Sequence, residues 1–600
     1  MNAGARSTRP TNPTTPTTPT GRAARNRPGG RSALLAIASV AVALAAADTY
    51  VVVLALPDMM AGVGLSIDDL QKATPVISGF LLGYIAVLPL LGRLSDLVSR
   101  QGVLLACLAL FVLGSAVTAL AVDLGVLVAG RVGQGIGGGG LVPATLALVA
   151  DMWPPHRRGT PLGIVGAVQE VGSVLGPLLG AVVLAVADWR GIFWLNVVLG
   201  LALAAALWWA GRSASAQPID PAVSAVSPDS HAVPSSRPRI RRVAAYALLV
   251  GGVGAVLLAL AAPRVLTRQV MLGLPFVPIR GLADVLGPRV ATPLGLGGVA
   301  ALTLWLALVA VTHRAVLRRV DVPGAVLVAV ALGSLVLSFA SADPEKEAVG
   351  PWAVWLLPLG ALAVVAALLW HRVAPYPLVP RGLFSRRVLF GVLTSVAVGA
   401  ALVAVVVDVP VLARLTLTDS QTAAAMVLVR FLLALPIGAV LGGVSLRRLG
   451  PGLVACAGLV LATGALGVMS TWGTSSLADS AAVTMTLVAA GFGLGLAIAP
   501  VNAAVLDDVD AEAHGVAGSV VVVARMIGMV VGLALLTAYG LWRFYAYVET
   551  LPAEVALREP AILLDAGIVQ VQTVFFGAAL CAAAGAAAAL GLGLRRTEKA

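Results

Sequence analysis

The chain is 600 residues long, 59% hydrophobic and only 11% charged. Soluble domains carry roughly 25% charged residues, so this is an all-α polytopic membrane protein. Its formal charge of +12 fits arginines gathered in loops beside anionic headgroups and calls for no nucleic-acid partner. Cys107, Cys456 and Cys581 each stand alone in apolar runs, which excludes a disulfide framework and a thiolate metal centre.

Residues 1–32 hold Arg6, Arg9, Arg22, Arg25, Arg27 and Arg31 among Thr, Pro and Gly, with no acid, and read as a disordered basic cytoplasmic tail. The apolar run that follows carries Asp48 and leads into further spans, so it is a retained first helix and not a cleaved signal. Runs of about 20 apolar residues then recur at 33–56, 73–91, 103–122, 125–150, 163–187 and 192–210. These make a six-helix unit over 33–210. The polar stretch 211–242, ending in Arg237, Arg239, Arg241 and Arg242, reads as a cytoplasmic connector.

Four more runs follow, at 243–262, 294–312, 322–340 and 352–370, forming an extra pair over 243–312 and a linker pair over 313–371. Six close the chain within 372–600, at 388–407, 423–444, 453–469, 483–505, 516–541 and 569–594. The expected layout is therefore sixteen spans in groups of six, four and six. With the amino terminus inside, Arg93, Arg100, Arg157, Arg158, Arg314, Arg318, Arg319, Arg372, Arg386, Arg387, Arg447, Arg448, Arg595 and Arg596 all fall on the cytoplasmic side. The exception is the outer loop 263–293, with Arg264, Arg268, Arg280 and Arg289 against Asp284 alone.

Inside the spans or at their edges stand Asp48, Arg131, Glu170, Asp408, Arg430 and Arg525. An ionisable group at membrane depth costs at least ~2.5 kcal/mol, so each must pair, take up a proton or face water. Glu170 lies in the run that holds Gly172, Gly176, Pro177 and Gly180, residues that let helices approach closely and bend. Two readings stand for it: a proton-handling carboxylate at a moving seam, and a hydrogen-bonded packing residue. Asp408 and Arg430 lie nearer helix ends, where snorkelling or a structural pair is as good a reading as function. The glycines at 133, 135 and 138 fit a nucleotide fingerprint only in spacing, since they sit within a helix and follow no strand. His156, His231, His313, His371 and His514 form no His-x-x-x-His pair and have no cysteine partners, so no metal site is expected.

Three stretches carry a resemblance. Gly92-Arg93-Leu94-Ser95-Asp96-Leu97-Val98-Ser99-Arg100 lies between the second and third spans, Arg131-Val132-Gly133-Gln134-Gly135 in the fourth, and the Gly/Pro run with Glu170 in the fifth. Together they resemble the signature motifs of the major facilitator superfamily, in their usual order. Asp48-Thr49-Tyr50 through Pro57 and Trp189-Arg190-Gly191 through Asn196 resemble the fourteen-helix drug:proton antiporter group. Stretches around Asp48, Glu170, Pro436 and Arg525 are most similar to the mycobacterial triacylglyceride exporters that work with a lipid-carrying lipoprotein.

The resemblance implies two six-helix bundles plus linker helices, and a proton-coupled antiporter drawing on the proton gradient, with no cofactor. It implies Asp48 and Glu170 as the carboxylates that exchange protons, Arg525 as the cation competing for Glu170, and Arg131 as a relay, with a structural hydrogen-bonding role for Arg131 equally open. Gly92, Asp96 and Arg100 would form a cytoplasmic gating latch, weakened where the family's usual residues are replaced by Leu97, Ser99 and Gln101. The implied substrate is triacylglyceride or a related lipid exported across the cytoplasmic membrane, with both termini inside and a periplasmic lipoprotein as carrier. A multidrug efflux antiporter is the close alternative, and a scaffold or sensor a third. A membrane-embedded acyl or glycosyl transferase is the remote alternative, because no Ser/His/Asp constellation or long catalytic loop is present.

Overall fold

A computed structural model describes residues 28–65, 70–215, 239–340, 350, 352–418, 421–478, 480–550 and 560–593. Most of the tail expected over 1–32, most of the connector 211–242 and the far carboxyl end lie outside these residues. The first six long helices are α1 (Pro28–Gly62), α2 (Leu70–Leu97), α3 (Arg100–Ala119), α4 (Leu124–Met152), α5 (Gly159–Val186) and α6 (Arg190–Ser215). Four intervening ones are α7 (Arg239–Ala261), α8 (Pro293–Thr312), α9 (Val322–Ala340) and α10 (Ala353–Val373). The last six are α11 (Arg386–Thr416), α12 (Gln421–Leu449), α13 (Pro451–Met469), α14 (Ser480–Asp507), α15 (His514–Glu549) and α16 (Pro560–Ala589). Among the described residues fifteen helices are long and apolar enough to cross a membrane. The helix α5, 28 residues long, packs along α1.

Local signals set several of the ends. Ser99, Asp123, Thr292 and Ser385 each turn a side-chain oxygen onto an unpaired amide of the first turn of α3, α4, α8 and α11. Gly450, at φ 77°, ends the chain's run through α12 in a conformation that only glycine adopts freely, and Pro451 starts α13 at once.

The first six helices pack as one bundle, chiefly α3 and α2 on α4, α5 on α1 and α6 on α3. The last six repeat the pattern, with α12 and α13 on α14, and α11 on α15 and α16. The two bundles meet along two seams, α5 against α12 and α2 against α15. Gly172 and Gly176 face the backbones of Ala43 and Ala47, so α5 lies directly on α1 with no room for a Cβ. The helix runs unbroken through this stretch, and its glycines serve the close approach expected of them. Gly180 faces the Val51 side chain in the same row, and the Pro177 side chain lies outside the described residues.

The four intervening helices sit at the rim. Within their spans only 17% of α7, 11% of α8 and 17% of α10 is buried, leaving broad apolar faces for lipid. The pair α7 and α8 packs on itself and touches α3, whereas α9 lies along α2 and reaches α15. Between α7 and α8 the chain makes a series of short helical turns and folds back, with Gly287 against Asp123 at the start of α4 and Arg289 donating to the Leu260 carbonyl of α7.

Candidate functional site

Among the described residues the most enclosed charges are Asp48 and Arg131, each 1% exposed. They form a direct ion pair between α1 and α4. Two more side chains close the carboxylate's remaining valences. Asn196 of α6 donates Nδ2 to Asp48 Oδ1 at 2.5 Å, and Gln134 donates Nε2 to the same oxygen at 3.3 Å. Gln134 also accepts from Arg131 Nη1 at 3.0 Å and from Thr118 at 3.1 Å, and donates to Ser115 at 2.8 Å. Arg131 gives its Nε to the Val76 carbonyl at 3.3 Å and stacks 4.5 Å over the Phe80 ring. Satisfaction on this scale is what an ion pair needs when water is excluded. Arg131 thus bonds a neighbouring backbone, as one of its two readings had it, and also a carboxylate, which neither reading named.

The second charged pair spans the seam. Glu170 of α5 and Arg525 of α15 lie 3.7 Å apart, at 8% and 9% exposure. The contact is ionic and longer than a hydrogen bond, so it holds the bundles together more loosely than the Asp48 network holds its own bundle. Arg525 lines a cavity of about 20 Å³ with Ser395, Ile498 and Asn502, and Asp48 lines another of about 20 Å³ with Gly176 and Asn196. Each is large enough for about one water molecule. Asp48 and Arg525 thus each have room for about one water at their side.

One face of the molecule is latched. Asp96, at the end of α2, accepts the Gly515 amide at 2.7 Å and the Val516 amide at 3.0 Å, both in the first turn of α15. A carboxylate is favoured there by the helix dipole and by unpaired N–H groups. Arg100 ties the corner, at 2.6 Å to Asp96, 3.0 Å to Asp151 and 3.3 Å to the Ala511 carbonyl. Gly92 lets the Gly515 backbone and Ser519 come into contact. The three replaced positions do not open this corner: Ser99 caps α3, Gln101 donates to the Leu207 carbonyl at 2.7 Å, and Leu97 ends α2. A second tie, Arg158 to Asp507 at 3.0 Å, joins the bundles at the same face, with Arg158 also held by the Ala150 and Trp153 carbonyls. His514 lies buried 3.5 Å from Asp151.

Asp408 and Arg430 are not a pair. Asp408 is 4% exposed, well inside α11, and its Oδ2 has no hydrogen-bond partner. It therefore does not snorkel. Arg430 is half-buried on α12, with no ion pair to a described carboxylate. Sequence reasoning missed Gln134, Asn196, Asp151, Arg158 and Asp507 as site residues. Gln134 and Asn196 lay inside the motifs that drew attention to Arg131 and the α6 start. Among the described residues no cluster of three or more His, Cys, Asp or Glu is placed to hold a metal ion.

Two helical bundles that meet at a charged seam, with one face latched, have the architecture of a multi-pass membrane transporter. Residues 38–367 match the Major Facilitator Superfamily, and the chain belongs to that family. It is 36% identical over 536 residues to a triacylglyceride transporter of Mycolicibacterium hassiacum, covering 88% of this chain and 82% of the relative. It is 35% identical over 567 residues to a triacylglyceride transporter of Mycobacterium tuberculosis, covering 91% of each. Among solved structures it resembles a human organic anion transporter at a TM-score of 0.51 and 13% identity, over 92% of this chain and 99% of the other, a likeness of fold alone.

Proposed function

We propose that this protein is a proton-coupled antiporter that exports triacylglyceride or a related lipid across the cytoplasmic membrane. The observation that carries the reading is the Glu170–Arg525 contact, a buried charge pair whose two members belong to different bundles. Rocking the bundles about a central cavity must stretch such a pair. A proton arriving on Glu170 replaces the arginine as its partner, releases the seam and so couples proton entry to the conformational change. Asp48, with Arg131 behind it, is the second exchange site. The latched face, which gathers the arginines of the short turns, is the cytoplasmic one.

The lipid substrate is supported by the names of the relatives and by the apolar faces around the seams. The helix α15 supports a lipoprotein partner: its 36 residues reach about 54 Å, well beyond the ~30 Å of a hydrocarbon core. The domain divisions at 33–210, 211–242, 243–312, 313–371 and 372–600 are proposed as the units that move or link.

The test is export of labelled triacylglyceride and of a cationic dye from cells producing wild type, Glu170→Gln or Arg525→Ala. Wild type should export the lipid, and both variants should lose at least ~90% of it, because an interaction made across the moving seam governs rate rather than binding. Dye efflux with no lipid export would replace this reading with a multidrug antiporter. Transport equal to wild type in both variants would rule out the charge relay.

A further inference from the structure

One cavity lies away from both charged centres. It measures about 390 Å³ and opens on the latched face, where α1, the α4–α5 turn and the end of α12 converge. Its walls include Leu35, Trp153, Pro161 and Ile164, and at its edge stand Arg157 from the first bundle and Arg447 from the second. Both arginines are exposed, and neither side chain makes a hydrogen bond or ion pair with a described residue. Their neighbour Arg158 is buried and already spent on Asp507. An apolar pocket rimmed by two unneutralised guanidinium groups is complementary to an amphiphile with an anionic head. The chain's own amino-terminal segment cannot supply that head, because residues 1–32 contain six arginines and no acid.

We infer that this pocket binds one anionic phospholipid, its phosphate shared by Arg157 and Arg447 and its acyl chains against Leu35, Pro161 and Ile164. Guanidinium and phosphate match in forked geometry, and such charge-assisted bonds are about twice as strong as neutral ones. The position gives the lipid a mechanical role. Just inside the pocket Gly159 of α5 and Gly443 of α12 bring the two backbones into contact, so a headgroup held by an arginine from each bundle straps the latched face shut. Opening that face separates the two arginines and must release the phosphate. The inference depends on neither the transported substrate nor proton coupling.

The experiment uses the purified full-length chain in nanodiscs of phosphatidylcholine, with and without phosphatidylglycerol. Lipid retention is read by native mass spectrometry, and thermal unfolding is followed in parallel. Wild type should retain one phosphatidylglycerol in preference to phosphatidylcholine and unfold at higher temperature when it is present. Arg157→Gln and Arg447→Gln should each weaken retention by roughly tenfold, and together remove the thermal shift. Arg448→Gln, also exposed but outside the pocket, should leave both intact. Equal loss in Arg448→Gln would overturn the site in favour of a diffuse basic belt. Stabilisation by inorganic phosphate in pure phosphatidylcholine, as large as that by phosphatidylglycerol, would show an anion site with no use for acyl chains and would also overturn it.

Discussion

Asp48 and Asp408 each lie past the midpoint of the first helix of their bundle, α1 and α11, and both are buried. Asp48 is enclosed by Arg131, Gln134 and Asn196, whereas Asp408 keeps an oxygen with no partner. The first bundle thus carries a polar network that fixes three helices to one another, and the second carries a lone carboxylate among apolar side chains. A network of that kind is costly to break, because each member is the only compensation for another. A lone group leaves nothing behind when it is changed. The bundles share an architecture while differing in which of them is held by charge.

The largest effect should come from cutting the network at its cation. Arg131→Met removes the counter-charge of Asp48 and strands a carboxylate with almost no access to water. Thermal or denaturant unfolding in detergent should report a loss of about 3–5 kcal/mol. The double variant Asp48→Asn, Arg131→Met should recover part of it, since the stranded charge is then gone. Equal losses in the single and double variants would mean that packing, and not charge, holds α1 to α4.

A smaller effect is expected where the bundles touch each other and not themselves. Arg158→Gln gives up the contact with Asp507 and weakens two carbonyl contacts, at a face that water already reaches. We expect roughly a tenfold shift away from the latched form, equivalent to ~1.4 kcal/mol. Labelling of Ser519→Cys, which lies against Gly92 beneath the latch, should speed up accordingly in the Arg158→Gln background. Unchanged labelling would assign the closure to Asp96 and Arg100 alone.

These contrasts also mark what the sequence could disclose. Charges inside apolar runs are rare, so Asp48, Arg131, Glu170 and Arg525 stood out. Their spacing said nothing of which would meet; the resemblance set Arg525 against Glu170, but the relay it assigned to Arg131 gave no hint that it holds Asp48. Gln134 and Asn196 are uncharged, and a helix of mixed small residues does not draw attention to them. Arg158 and Asp507 are 349 positions apart, a separation that only tertiary packing closes. The weakening expected at Leu97, Ser99 and Gln101 was read from side-chain identity alone. Its main bonds run from Asp96 to backbone amides at the start of α15, which any residue but proline provides. Fifteen of the sixteen expected spans were legible as helices long and apolar enough to cross, because ~20 apolar residues are required of each crossing. Helix length was not, as α1 and α15 continue well past their apolar cores.

The smallest effect should be at Asp408, where it sharpens the contrast with Asp48 most directly. Asparagine has nearly the shape of aspartate and keeps an oxygen in place, so Asp408→Asn disturbs little packing. No arginine or lysine is paired with the carboxylate among the described residues, so no cation is left uncompensated by the change. Unfolding should therefore shift by less than ~1 kcal/mol in either direction. Asp48→Asn, measured alongside, should cost more, because Arg131 then remains as a buried cation facing a neutral amide. A loss at Asp408 equal to that at Asp48 would mean that the second bundle has a counter-charge of its own and that the two carboxylates are equivalent. Arg430, on the next helix, is the first residue to substitute in that event, since its approach to Asp408 in another conformation would supply the missing partner.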